Sequence, residues 1–326
     1  MKKTYINPQL LQQAEGNKNT LMALRPFADE TLKSLREYYR IGLTYTSNAL
    51  EGNSLTESET KVVIEDGLTI EGKPLREVYE AIGHANAYDY LYELVNNKTL
   101  EEKDILKLHK LFYEKIDSQN AGKYRTVPVF ISGSKYSVAP VGKIKQQMSA
   151  FIKWYNENEK ILPTVEFAAI VHLKFVYIHP FIDGNGRVAR LLLNLALLRG
   201  QYTIVLIPSI LRHEYIHSLE ESHNNPEIFI NFIAERVINT QLDLLRLLKD
   251  GGVITDVGGA NNKDGGVNTE EEIYTIIKNN QGINAPTIAN ILNKSLRTTQ
   301  RYLKKLSDNK RIEFCGASKN GGYYII

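Results

Sequence analysis

A single cysteine, Cys315, stands in 326 residues. No intrachain disulfide can form, and the composition fits a reducing compartment. Long apolar runs are missing too. The longest, Leu191 to Leu198, is broken by Asn194 and falls well short of the ~20 residues that cross a bilayer. The start, MKKTYINPQLLQQAEG, carries basic residues with no apolar stretch behind them, so no secretory leader is expected. Nor does one charge dominate. Lys and Arg number 40 against 37 Asp and Glu, a formal +3, too small by itself to argue for nucleic acid or a membrane. These absences predict a soluble, cytoplasmic protein without a membrane partner, long enough for two or three domains.

What is present is concentrated between His179 and Arg190, which read HPFIDGNGRVAR. Phe167, Ile170, Val171, Phe175 and Ile178 lead in on one helical face, and Leu191, Leu192 and Leu195 lead out towards Gly200. The stretch is therefore a loop between two buried helices, with Gly184, Asn185 and Gly186 where the second begins. Free N–H groups at a helix start attract anions, and glycine lets a phosphate come close. Arg187 and Arg190, three apart on the first turn, point the same way and suit further phosphate oxygens. Asp183 suits a magnesium ion, which keeps most of its waters and is shared between a carboxylate and phosphates. His179 is placed to take a proton at neutral pH. A histidine before proline or a Gly-Asn-Gly turn alone would be ordinary loop structure. The fixed order of base, carboxylate, anion nest and two arginines points instead to a polyphosphate site with a base beside it.

HPFIDGNGRVAR resembles the signature of the Fic family, His-x-Phe-x-Asp/Glu-Gly-Asn-Gly-Arg-x-x-Arg, with every defining position filled. The resemblance implies a mainly helical bundle, and most members transfer AMP from ATP to a hydroxyl side chain of a target protein. It implies ATP over Gly184, Asn185 and Gly186, magnesium on Asp183, Arg187 and Arg190 on the outer phosphates, and His179 as base. Phe181 reads as a core anchor of the loop. Ser47-x-x-x-Glu51-Gly52 resembles the inhibitory motif of members carrying their own brake, in which the glutamate pairs with the second arginine, here Arg190. An ordinary helix end with Glu51 in solvent would look the same locally. Two further readings stay open. One is a hydrolase that removes AMP; the other is a DNA-binding regulator whose Fic-like part senses nucleotide.

Residues 1 to about 28 are weakly patterned. From Asp29 a helix places Leu32, Leu35, Tyr39 and Leu43 on one face. Thr56 with Glu59 forms a capping box, Gly67 a stop, and Thr99 with Glu102 a second box. Tyr79, Ile82 and Tyr90 outline a helix after Pro74. Val127, Val129 and Ile131 alternate, Ser132-Gly133-Ser134 turns, and Tyr136 and Val138 alternate again, which reads as a small β-hairpin or a surface loop. In the family a hairpin here, the flap, holds the target segment by strand-like pairing, which would assign that role to Val129, Phe130, Ile131, Ser132 and Gly133. The preceding Gly122-Lys123-Tyr124-Arg125 also resembles the family. Helix returns from Lys143 to Tyr155. In the family a tyrosine lies against the adenine; Tyr215 fits by spacing, and a core tyrosine fits as well. His223 stands where an asparagine often joins it, so that contact is not carried over.

Asp250 to Asn268, rich in glycine and asparagine, reads as a flexible linker. Beyond it come helices around Ile273–Ile277, from Pro286 and from Ser295, then a hairpin with Asn320-Gly321 as its turn and Tyr323 and Ile325 returning. That order is a winged helix-turn-helix. Its third helix turns Thr299, Leu303 and Leu306 inward and Arg297, Thr298, Gln300, Arg301 and Lys304 outward. From Ala285 on, eight Lys or Arg face two acids, a basic surface suited to DNA, though many winged helices bind proteins. The expected division is a helical region with the inhibitory helix over 1–100, a Fic core over 101–249, a linker over 250–268 and a winged helix over 269–326. The partners expected are a hydroxyl-bearing target protein, which includes the chain itself, and DNA through Arg297, Arg301 and Lys304. A homodimer stays open.

Overall fold

The computed structural model describes residues 4–250, 273–278, 280–292, 296–316 and 321–325, with positions 290 and 296–298 by backbone alone. The chain divides into two compact units, Met1–Thr255 and Asp256–Ile326. The linker beyond Asp250 lies outside the described residues.

The first unit holds ten α-helices among its described residues: α1 (Pro8–Ala23), α2 (Asp29–Ala49), α3 (Glu57–Glu65), α4 (Leu75–Val95), α5 (Glu102–Tyr113), α6 (Ile144–Asn158), α7 (Thr164–Ile178), α8 (Asn185–Arg199), α9 (Arg212–Glu221) and α10 (Glu227–Asp250). Its centre is α8, in which every residue from Arg187 to Leu197 is buried. A helix buried all round is the middle rod of a bundle. Around it α7 lies along one side and α4 along another, α2 packs on α4, and α10 covers α7. One apolar core runs from Ile6 to Ile238. The prediction of a mainly α bundle is met. No helix of the described residues is long and apolar enough to cross a membrane.

Local rules explain several boundaries. Thr56 caps α3 through Glu59 N–H at 3.2 Å, and Glu59 returns a carboxylate to Thr56 N–H at 2.7 Å. The second box is displaced: Glu101, not Thr99, caps α5, with Asp104 accepting from Glu101 N–H at 3.0 Å. Aspartate at the third position serves as well as glutamate, so the helix starts where its buried face does. The unpatterned N-terminus is also corrected. Asn7 accepts from Gln9 N–H at 2.8 Å and Pro8 opens α1, which packs on α10.

The hairpin is the main departure. Residues 125–140 form no strands; a turn closes from Ser134 N–H to the Ile131 carbonyl at 3.2 Å, with Gly133 at φ +83°. Val127 and Ile131 are exposed and Phe130 is 93 % exposed. An isolated hairpin with nothing to bury against is marginal, and the segment is held instead by Arg125, which donates to the carbonyls of Val127, Ala139 and His179.

In the second unit residues 273–278 are helical, followed by α11 (Ala285–Ile291), α12 (Leu296–Asp308), β1 (Ile312–Cys315) and β2 (Gly322–Ile325). β1 and β2 are antiparallel, with Ile312 opposite Ile325 and Cys315 opposite Gly322. The turn expected at Asn320-Gly321 includes Asn320, which lies outside the described residues. Thr299, Leu303 and Leu306 are buried, and Gln300, Arg301 and Lys304 are exposed, as the periodicity of α12 predicts. The side chains of Arg297 and Thr298 lie outside those described.

Candidate active site

The loop from His179 to Gly184 is built by opposing turns. His179 ends α7 in the left-handed region (φ 52°, ψ 60°), its N–H still reaching the Phe175 carbonyl at 3.0 Å. Gly184 starts α8 at φ +78°, and a Cβ there would meet the Phe112 ring at 2.8 Å. Phe181 is fully buried and stacks on His109 with ring centroids 3.8 Å apart, the core anchor expected of it. Asn185 closes the loop: its side chain accepts from Phe181 N–H and donates to the Phe181 carbonyl, both at 2.9 Å. The Asn185 amide is therefore spent on the loop, not on a ligand, and only its main chain is left to the nest. Helix geometry leaves the first N–H groups of α8 without an intrahelical acceptor.

A carboxylate already sits at that nest. A Cβ built on Gly186 would lie 2.5 Å from Glu51 Oε1. The same oxygen accepts from Arg190 Nη2 at 2.7 Å. Arg190 also donates Nε to Ser47 Oγ at 2.9 Å, Nη2 to the Ser47 carbonyl at 2.8 Å and Nη1 to Tyr215 Oη at 3.1 Å. Burial alone would push the Glu51 carboxyl up, but Arg190 and Arg187 outweigh it and hold the group below its ordinary value. Burial likewise opposes the charge on Arg190, yet Tyr215 and Glu51 hold it above the usual guanidinium range. Ser47, Glu51 and Arg190 are thus brought together, as the inhibitory motif implies.

Arg187 is 3 % exposed. It pairs with Glu80 at 3.2 Å, approaches Asp183 at 3.6 Å and lies over the Phe112 ring at 4.1 Å. Asp183 is more open; Arg76 donates to its Oδ2 at 3.0 Å. Tyr215 is 5 % exposed, with its hydroxyl between Arg190 and His172 Nε2, the latter at 2.9 Å. It supports Arg190 from the core and only borders the cleft.

That cleft, of about 250 Å³, is bordered by His179, Glu51, Gly186 and Tyr215 and, from the irregular segment, by Ile131, Ser132 and Tyr136. Of the five expected flap residues, Val129, Phe130 and Gly133 are not on its wall. Across it, His223 lies between Tyr136 and Tyr177 at ring separations of 3.7 and 3.9 Å. His179 has an imidazole Nδ1 that is buried without a hydrogen-bond partner among the described residues, and burial pulls its pKa down to about 4. The ring is neutral at pH 7 and able to accept a proton.

No group of three or more His, Cys, Asp or Glu among the described residues could hold a metal by itself. A magnesium ion shared with phosphates needs only one carboxylate, and the partly exposed Asp183 beside the nest fits that role. The residues missed from sequence are Arg76, Glu80 and His109. Arg76 and Glu80 read only as an i,i+4 helix pair, and nothing local indicates that they face the loop.

The family model for Fic/DOC matches residues 99–197. A protein adenylyltransferase Fic of Nematostella vectensis is 34 % identical over 250 residues, 73 % of this chain and 56 % of that protein. The chain thus spans about half the length of the curated relatives it matches. Fic-1 (residues 134–508) of C. elegans has the same fold, at TM-score 0.69 and 30 % identity over 74 % of this chain and 73 % of that one. A Fic domain containing signaling protein of Bacteroides thetaiotaomicron superposes at TM-score 0.67, with 27 % identity over 74 % of this chain and 98 % of that one. With the signature residues gathered in one loop and the helix start that follows it, the chain belongs to the Fic/DOC family.

Proposed function

We propose that this chain transfers AMP from ATP to a Ser, Thr or Tyr hydroxyl of a target protein, itself included, and that Glu51 restrains the reaction. The observation that carries this is the Glu51 carboxylate at the helix start beside Gly186, on Arg190, in the cleft that His179 borders. An anion is stabilised there by first-turn N–H groups and a guanidinium together. The triphosphate needs those same groups, so the glutamate stands in its place.

With Glu51 moved aside, the N–H groups of α8 and Arg190 receive phosphate oxygens, each charged hydrogen bond worth ~1.5–3 kcal/mol. Arg187 adds its charge from below, tied to Glu80. Neutral His179 takes the proton from the target hydroxyl. The oxygen bonds to the α-phosphorus as the bond to the bridging oxygen breaks, and pyrophosphate leaves. Asp183 would hold a magnesium ion, which when bound offsets charge on the phosphates. Arg125 fixes the His179 carbonyl and the segment that borders the cleft, so base and target seat keep one geometry.

Incubation with labelled ATP tests the reading: label must appear on protein, and removal of His179 must abolish it. A second reading rests on the ionised state of Glu51, which also borders the cleft with His179. A carboxylate so placed can activate water to remove AMP. Loss of activity towards an AMP-modified target on Glu51→Gly would favour that direction. For the second unit we propose weak DNA contact through Arg297, Arg301 and Lys304, supported by the exposure of Arg301 and Lys304 on α12.

A further inference from the structure

The charge of Asp183, like those of Arg187 and Arg190, is met by a group outside the signature. Arg76, near the start of α4, donates Nη2 to Asp183 Oδ2 at 3.0 Å. Its Nε faces Glu80 Oε1 at 3.3 Å, one turn along the same helix. Glu80 Oε1 also meets Arg187 Nη1 at 3.2 Å, and Arg187 Nη2 returns to Asp183 Oδ1 at 3.6 Å. The four side chains close a ring of alternating charge in which each Asp183 oxygen faces a guanidinium. The two arginines differ in freedom. Arg187 is buried against Phe112, whereas the Arg76 side chain is 57 % exposed.

We infer that Arg76 is a built-in competitor for the metal position on Asp183, so that a divalent cation enters this site only together with nucleotide phosphates. The inference rests on the reading of Asp183 as the metal carboxylate. A dication bonded directly to Asp183 would sit within contact distance of two guanidinium groups, and like charges at that range repel even in water. A triphosphate brings the negative charge that offsets them and gives Arg76 another anion. Because Nε stays on Glu80, Arg76 swings from Asp183 about a retained anchor instead of leaving the site. Arg76 thereby excludes free metal and admits the metal–nucleotide complex.

The test is binding of Mn²⁺, followed by electron paramagnetic resonance, to the full chain without nucleotide and with ATP. The parent is expected to bind Mn²⁺ alone weakly, and Arg76→Gln to bind it at least about tenfold more tightly, since a unit charge is removed from contact with a dication. Asp183→Asn added to Arg76→Gln should return binding to the parental level. Arg76→Lys, which keeps the charge, should stay near the parent. An Arg76→Gln protein that melts like the parent yet binds Mn²⁺ no better overturns the inference. Parental Mn²⁺–ATP binding serves as the separate control: if Asp183→Asn does not weaken it, the metal reading of Asp183 fails and the inference with it.

Discussion

Replacing Glu51 with glycine separates a brake from a catalytic group, because the two roles predict opposite signs. The substitution removes the 2.7 Å contact to Arg190 and vacates the space over Gly186. Orphaning one partner of a buried pair costs ~3–5 kcal/mol. Here Arg190 keeps Ser47 Oγ, the Ser47 carbonyl and Tyr215 Oη, and the Glu51 side chain is 37 % exposed. The loss should therefore be nearer that of one hydrogen bond to a charged group, about 1.5–3 kcal/mol. In a unit of this size that lowers Tm by roughly 3–10 °C. Transfer should nevertheless rise at least about tenfold, roughly 1.4 kcal/mol of barrier. The pH dependence has a definite sign. The folded-state pKa of Glu51 is depressed, so its stabilisation is present above the ordinary carboxyl value of 4.5 and lost as pH falls through the lowered value. The melting gap between parent and variant should accordingly close in acid. The assay is incorporation of label from ATP into the protein itself at saturating ATP and magnesium. Arg190→Ala should be inactive in either background. A Glu51→Gly protein no faster than its parent refutes the brake, and a slower one makes Glu51 catalytic.

His179→Ala in the Glu51→Gly background should cut transfer by ~10²–10⁴ while ATP binding by calorimetry stays within a few fold; an unchanged rate removes His179 as the base. His84, His109 and His172 are fully buried, and burial pulls the first to about 3, the second to about 4 and the third well below the ordinary 6.5. Their folded pKa values are depressed, so the unfolded chain binds more protons below pH 6.5. Stability is then full above that value and falls by about 1.4 kcal/mol per pH unit for each as pH drops towards 4. A urea midpoint equal at pH 7 and pH 5 would contradict this. For the second unit, Arg301→Ala with Lys304→Ala should weaken DNA binding and flatten its salt dependence. Gel shifts with no binding by the parent at low salt leave a protein-contact module as the account.

Much of this protein is local and so legible in sequence. The order of His179, Asp183, the glycines and the two arginines sets a helix start with an anion nest, since backbone N–H geometry depends only on the turn that precedes it. Thr56 with Glu59 marks a helix start for the same reason, and the period of α12 separates Thr299 and Leu303 from Arg301 and Lys304. Partnerships between distant segments are another matter. Arg76 meets Asp183 across 107 residues and His172 meets Tyr215 across 43, and neither pair leaves a spacing to read. Alternation at Val127, Val129 and Ile131 suggested strands, but Val127 and Ile131 are exposed and the carbonyls of Val127 and Ala139 bond to Arg125 and not to a partner strand. The place of Asn185 in the nest is local and legible; that its side-chain amide turns back to Phe181 is decided only by the packed loop. Helix packing decides such matters, because it fixes which buried polar groups must satisfy one another once water is gone.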